Sequence, residues 1–290
     1  MLENIKCNIC GSNDYEEKFY SVPSGFLVRC KKCDLYYVNP RNTKFLITKA
    51  KERILRPEID ESKLIQEKNR RKEFKKYLKK INQFSHKKGR ILDIGCNIGI
   101  FLDEARKDGW EVYGVEPAYG AYKYATEILK LNVLNCTLEE ATFKDNFFDV
   151  VTLFAVLEHV SNPRELLKEI RRIIKLNGLL VIHVPYANKF YINVVRKKWR
   201  QFIGGHFYWF TKSSLHKLLE ICRFQPIKFY WCIRTVDLNI ISYRLSDPYC
   251  PLYFEKIGKL FRNFILKLRL KNFSIPLCLF DEIIVYAKAY

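Results

Sequence analysis

Four cysteines near the start of the chain fall into two identical spacings, Cys7-Asn8-Ile9-Cys10 and Cys30-Lys31-Lys32-Cys33, with nineteen residues between them. A Cys-x2-Cys turn aims two thiolates at one point, and two such turns at this separation supply the tetrahedral set of a zinc ribbon. Gly11 relieves the turn after the first pair. Four thiolates leave no position for water, so a metal held by Cys7, Cys10, Cys30 and Cys33 would be structural. A segment this short buries too little surface to fold alone, and ligation would supply much of its stability. Leu35-Tyr36-Tyr37-Val38 reads as a ribbon strand that Pro40 breaks.

A second constellation is Asp93-Ile94-Gly95-Cys96-Asn97-Ile98-Gly99. Gly95 and Gly99 let the backbone pass close to a ligand, and the helix expected after them presents unpaired amides. The dinucleotide fingerprint Gly-x-Gly-x-x-Gly would need glycines at 95, 97 and 100, but positions 97 and 100 hold Asn and Ile. Glu116, followed by Pro117, stands where a carboxylate accepts both hydroxyls of an adenosine ribose. Together these features mark a nucleoside site.

Short β-branched runs alternating with helical stretches must position that site. Arg90–Ile94, Glu111–Val115, Phe148–Leu153 and Leu179–Val184 read as buried strands, with helices over Ile100–Lys107 and Pro163–Lys175 between them. The alternation predicts an α/β fold, a doubly wound, mostly parallel sheet that binds ligands beyond the carboxyl ends of its strands. Upstream, residues 46–88 carry Ile65, Phe74, Leu78 and Ile81 at helical intervals among many charges, which predicts one or two amphipathic helices. The run Arg70-Arg71-Lys72 with Lys75, Lys76, Lys79 and Lys80 reads as a solvated face.

In this setting Ile91-Leu92-Asp93-Ile94-Gly95-Cys96-Asn97-Ile98-Gly99 resembles motif I of class I S-adenosylmethionine (SAM)-dependent methyltransferases, and Val115-Glu116-Pro117 resembles their acidic second motif. Phe148-Asp149-Val150-Val151-Thr152-Leu153-Phe154-Ala155-Val156-Leu157-Glu158-His159-Val160 is similar to their fourth motif, and Leu176-Asn177-Gly178-Leu179-Leu180-Val181-Ile182 to the later turn and strand. The matches fall in family order over residues 90–186, and the four-cysteine ribbon resembles a subgroup common among bacterial enzymes. The resemblance implies a Rossmann-like seven-stranded methyltransferase sheet and SAM as methyl donor. It implies that Gly95, Asn97 and Gly99 surround the methionine portion and ribose, that Asp93 braces the loop and approaches the amino group, and that Glu116 holds the ribose. Leu138 would flank the adenine and Phe154 would lie beside the sulfonium; ordinary core packing accounts for both equally well. Asn97 and Asn177 replace usual glycines, and Asn tolerates left-handed backbone.

For the acceptor, alignment supplies much of the catalysis, an oxygen nucleophile also needs a base, and a neutral amine needs only orientation. Two histidines are candidates. His159 directly follows the fourth motif. His206 lies in Gly204-Gly205-His206-Phe207-Tyr208-Trp209-Phe210-Thr211, which looks like a segment over the acceptor pocket in related enzymes. Tyr208 and Trp209 would then contribute to the pocket wall, and the flanking glycines suit a mobile lid. Packing or capping explains either histidine as readily. The Glu-x-x-Glu-His pattern of metal-assisted relatives is incomplete, because Ala155 replaces the first acid, so no catalytic metal is expected.

With 290 residues, 48% hydrophobic, the chain has ample material for a core, and its boundaries are expected as follows: a ribbon over 1–45, a basic helical connector over 46–88, a SAM-binding core with acceptor lid over 89–237, and a helical insertion with the last strand over 238–290. The insertion carries Lys256–Lys271, a basic amphipathic helix suited to packing against the domain, to an anionic membrane surface or to a lipid-linked substrate. No spanning segment and no secretory signal is read, which points to the cytoplasm or the inner membrane face. The formal charge of +20 suits anionic partners or a lysine-rich surface. A small-molecule or glycan acceptor, a sugar or polysaccharide precursor, is what the ribbon-bearing subgroup implies. RNA is a second acceptor class, disfavoured by the lack of an aromatic-interleaved RNA motif. A non-catalytic zinc-ribbon binding protein is a third reading, opposed by intact Asp93, Gly95, Gly99 and Glu116.

Overall fold

The computed structural model describes residues 2–22, 24–55, 66–85, 87–203, 205–238, 241, 255–267 and 273–290. A first antiparallel sheet contains β1 (Leu2–Glu3), β2 (Tyr15–Val22), β3 (Gly25–Cys30) and β4 (Tyr36–Asn42). Helices α1 (Thr43–Leu55) and α2 (Glu67–Phe84) lead into the larger unit. There, β5 (Arg90–Ile94), α3 (Ile100–Lys107), β6 (Glu111–Val115), α4 (Tyr119–Lys123), β7 (Val133–Leu134), β8 (Phe148–Phe154), α5 (Pro163–Ile173) and β9 (Ile174–Pro185) follow in turn. The chain continues through β10 (Tyr208–Trp209), α6 (Lys212–Ile221), β11 (Phe224–Trp231), β12 (Arg234–Asp237), α7 (Glu255–Lys267), β13 (Ser274–Leu277) and β14 (Glu282–Ala289).

Seven strands form one sheet in the order β11-β14-β9-β8-β5-β6-β7. Strands β5 to β9 pair in parallel, and β14 runs antiparallel to both of its neighbours. This is the α/β methyltransferase sheet that the motifs implied. Strand order reverses between β5 and β8, which opens a crevice at their carboxyl ends. The strands read as unbroken apolar runs because both faces are buried. Ile91, Val150, Val181 and Ile284 pack under α2 and α3, while Leu92, Val151, Leu180 and Val285 pack under α5 and α6.

Local chemistry fixes the helix starts. Asn162 caps α5 by accepting from Arg164 N and Glu165 N, with Pro163 in the first turn. Thr211 and Ser214 form a reciprocal capping box at α6. Arg71 on α2 reaches Glu67 at 2.7 Å and, on α3, Asp103 at 2.6 Å and Glu104 at 2.5 Å. Part of the expected solvated face is thus an ion-pair network that holds α2 on α3.

Two element boundaries differ from expectation. Pro40 does not end its strand: β10 pairs with β4 at Tyr36 and Tyr37, β1 pairs at Arg41 and Asn42, and Pro40 falls between them, where the missing N–H costs no ladder bond. The helix after Pro163 ends at Ile173, and β9 begins at Ile174, with Asn177 at φ 60° in a kink inside the strand. Helix α7 forms across most of the expected segment; residues 268–271 lie outside the described residues, as do Gly204 of the expected lid and most of 239–254.

Candidate active site

At the end of β5 the chain turns sharply, with Gly95, Asn97 and Gly99 in left-handed backbone at φ 66°, 53° and 79°. A Cβ on Gly95 would lie 2.8 Å from Val156 Cγ2, and one on Gly99 would lie 2.5 Å from Leu131 Cδ1. Close packing as well as conformation therefore demands glycine at both. Asn97 manages the third position with a side chain that accepts from Ile98 N at 2.8 Å. Glu116, just past β6, accepts from Asn97 N and from Ala118 N, each at 2.8 Å. One buried acid so ties the glycine loop to the next loop. Asp93 is 3% exposed and accepts from Thr152 Oγ1 at 2.7 Å. Burial raises its pKa to about 8 against the pull of that hydrogen bond.

Leu138 and Phe154 are buried. Phe154 lies against Phe74, Tyr77 and Phe101, with ring centroids 5.2, 5.7 and 4.8 Å away. Helix α2 thus covers the crevice with aromatic side chains, a task its charged sequence does not advertise.

The cysteines converge. Sγ atoms of Cys7, Cys10, Cys30 and Cys33 all lie within 4.8 Å of one another, and none is in a disulfide. The two knuckles share one geometry. Gly11 N donates to Cys7 O at 2.8 Å and Asp34 N to Cys30 O at 3.0 Å, and both Gly11 and Asp34 take positive φ. Four thiol donors around one point fit a tetrahedral metal.

The expected lid is a seam. Trp209 and Tyr208 pair with Tyr36 and Tyr37 of β4 as a fifth strand of the first sheet. Val38 N donates to Phe207 O at 3.0 Å, and Thr211 Oγ1 donates to Asp34 O at 3.1 Å. Tyr208 and Trp209 are fully buried, and Tyr208 Oη donates to Ser161 O at 2.8 Å. Backbone pairing to the ribbon replaces the mobile flap, and neither ring lines an open wall. His159 and His206 meet behind this strand with centroids 4.6 Å apart. His159 Nδ1 contacts Gly205 O and His206 Nδ1 contacts Gln201 O, both at 2.9 Å. A Glu158 carboxylate oxygen and a nitrogen from each ring lie within 4.8 Å of one another. That donor set could hold a cation without an acid at position 155.

A third histidine escaped the sequence reading. His183 on β9 is the partner of Phe154 on β8, and its ring lies 6.2 Å from that of Tyr77. Its Nε2 is 3.4 Å from Glu282 Oε2. Glu282 also receives Arg234 Nε at 2.6 Å and Gln201 Nε2 at 2.7 Å, and Arg200 stands 3.3 Å away. Tyr77 Oη and Cys232 Sγ are 2.8 Å apart. Burial lowers the His183 pKa, but Cys232 and Glu282 outweigh it and leave the group at about 10. Glu282 is itself held well below the usual carboxylate range: burial opposes this, and His183, Arg234 and Arg200 overcome it. The overlooked signal was an ionisable residue within Leu179–Val184 and another opening Glu282–Ala287, both in strands buried on two faces.

Comparison with known proteins agrees with this architecture. A methyltransferase-domain family model matches residues 67–226. The ubiquinone biosynthesis O-methyltransferase of Cereibacter sphaeroides (strain ATCC 17029 / ATH 2.4.9) is 27% identical over 173 residues, covering 52% of this chain and 70% of that protein. The mitochondrial ubiquinone biosynthesis O-methyltransferase of Schizosaccharomyces pombe is 40% identical over 108 residues, 35% of this chain and 39% of that one. The match to the Glaesserella parasuis counterpart covers 44% of it at 32% identity, so this chain spans less than half the length of two of these curated relatives. Among solved structures, a SAM-dependent methyltransferase from Archaeoglobus fulgidus superposes with TM-score 0.52 at 23% identity, over 79% of this chain and all of that one. The Haemonchus contortus phosphoethanolamine N-methyltransferase 2 in complex with SAM gives 0.51 at 17% identity, over 74% of this chain and 52% of that one. At such identities the superpositions speak for the fold. The family match spans 160 of 290 residues, and the chain belongs to the methyltransferase-domain family, with that fold joined to a four-cysteine module.

Proposed function

We propose that the protein transfers a methyl group from SAM to a small-molecule acceptor at the carboxyl edge of its sheet, with a structural zinc in the ribbon. One observation carries the donor reading: the Asp93–Gly99 loop and the Glu116 carboxylate are locked together at the strand-order reversal. Loop amides there suit the methionine carboxylate, Asp93 suits the ammonium, and Glu116 suits the ribose hydroxyls. SAM brings a methyl already activated by positive sulfur, and the residues described here bind, orient and exclude water. Cys7, Cys10, Cys30 and Cys33 would hold the zinc.

For the acceptor, the reading is a glycan or sugar precursor, free or lipid-linked. The lipid-linked form is favoured by α7, which exposes Leu260 and Phe264 beside exposed Lys256, Lys259 and Arg262. No described helix is long and apolar enough to cross a membrane, so such contact would be peripheral. The O-methyltransferase relatives point the same way in chemistry, toward a hydroxyl. His159 and His206 enter this reading as a pair fixed just beyond β8, with Tyr208 anchoring the loop between them.

Calorimetric titration with S-adenosylhomocysteine tests the donor site. Glu116→Ala is expected to lose affinity by about 100-fold or more, the equivalent of about 2.7 kcal/mol. Glu116→Gln, which keeps an acceptor for the backbone amides, separates ligand loss from loop collapse. Unchanged affinity in both variants would remove Glu116 from the site.

A further inference from the structure

Side chains alternate along a strand, and paired residues on neighbouring strands face the same way. Asp93 pairs with Thr152, and two residues further on Phe154 pairs with His183. Asp93, Phe154 and His183 therefore share one face of the sheet. His183 stands on the second strand over from Asp93 and one step nearer the carboxyl edge. Tyr77 closes this face from α2, stacked on Phe154 at 5.7 Å. By contrast, Leu157 and Tyr208, either side of His159 and His206, pack into the opposite cluster with α5 and α6. Among the described residues, His183 Nε2 makes no hydrogen bond of good geometry. That nitrogen stands 3.4 Å from Glu282 Oε2.

We propose that His183, oriented by Glu282, takes the proton of a hydroxyl acceptor, and that protonated His183 and the positive methyl donor exclude one another. The inference rests on the SAM reading above. Binding of a sulfonium then drives the proton from His183 and leaves the neutral imidazole that the next step uses. In that step the carbon–sulfur bond breaks and its electron pair stays on sulfur. An acceptor oxygen lone pair forms the new carbon–oxygen bond, and the hydroxyl proton passes to His183, whose charge Glu282 balances. An amine would not require this base. The groups facing His183 are Glu282 from β14, Cys232 after β11, Arg234 from β12, Arg200 from the loop before β10, and Tyr77 and Glu73 from α2. Glu282 favours the charged imidazole, and the Arg234 and Arg200 guanidiniums that share Glu282 oppose it, as an added sulfonium would.

The test is calorimetry on the zinc-loaded full chain in buffers of unlike ionisation enthalpy, with SAM and S-adenosylhomocysteine compared at neutral pH. SAM is expected to release about one proton more than the uncharged analogue, because linkage ties binding to the displaced proton. His183→Gln is expected to abolish that difference while leaving affinity for the analogue unchanged. Should the variant fail to fold, the wild type serves, since the extra release should shrink as pH rises through about 10. Equal proton counts for the two ligands at neutral pH, or an excess that survives in His183→Gln or does not shrink as pH rises through about 10, would overturn the proposal. Absence of binding by the analogue would instead remove the SAM reading itself, and this inference with it.

Discussion

Three histidines stand near the carboxyl ends of β8 and β9, in two unlike settings. At the ribbon seam, His159, His206 and Tyr208 direct polar atoms to backbone carbonyls of Gly205, Gln201 and Ser161. A carbonyl does not titrate, so these contacts hold the Nδ1 side of each ring, and the Glu158 carboxylate lies within 4.8 Å of both rings. Around His183 stand side chains rather than carbonyls, namely Glu282, Cys232 and Arg234. The first setting ties its rings to the backbone, and the second surrounds its ring with ionisable side chains. Both are largely buried, so burial does not separate them; the nature of the neighbour does.

The comparison can be broken most forcefully at the metal. Chelation is expected to release one zinc per chain and unfold the ribbon, since ligation in such modules is worth about 10–16 kcal/mol in isolated peptides. Loss of β4 should expose Trp209, read as a red shift in tryptophan emission. Metal analysis of pure protein that found no zinc would end this reading. Next in size, Trp209→Ala should destabilise the seam by about 3–5 kcal/mol through the cavity it leaves. Denaturant titration measures this, and affinity for S-adenosylhomocysteine should hold while the protein is folded.

A smaller effect sharpens the pH side. The Asp93 pKa is raised to about 8 from 3.8, so the fold binds its proton more tightly than the unfolded chain does. That contribution to stability is full at low pH and is lost as pH rises through about 8. Asp93→Asn should therefore gain on the wild type in thermal midpoint between pH 4 and 8, and a constant gap would show that Asp93 is already ionised in the fold. Smallest of all for stability, Leu260→Ser with Phe264→Ser should change it by no more than about 0.5 kcal/mol. The same pair should abolish cosedimentation with phosphatidylglycerol vesicles; retained binding would take the membrane role away from α7.

Much of the donor side was legible because its signals are local. Gly95, Asn97, Gly99 and Glu116 are positions where backbone angle or close approach dictates residue type, and the cysteine knuckles work the same way. The pairing of Tyr36 with Trp209 was not legible, because neither stretch says which remote edge it will join. Gly205 and its aromatic neighbours looked like a hinge, yet they pack a strand under the ribbon. His183 was hidden for the opposite reason. The apolar run around it satisfied the strand reading so fully that its one ionisable member drew no notice. Pro40 misled by a sound rule, since only the partners on either side of it show that no ladder bond was needed there.

The pairing of β4 with β10 also has a consequence for how the molecule is made. Synthesis delivers Cys7 to Cys33 ahead of the large sheet, and all four thiols are available to a metal long before residue 208 leaves the ribosome. The ribbon's sheet, however, gains its fifth strand only when Tyr208 and Trp209 arrive. Closing so long a loop is slow and comes late. Until then the edge of β4 at Tyr36 and Tyr37 is bare, and an uncovered strand edge invites pairing with other chains. In the nascent chain the ribbon would be clipped by metal at one end and left open at the other until the strand at Tyr208 and Trp209 seals it.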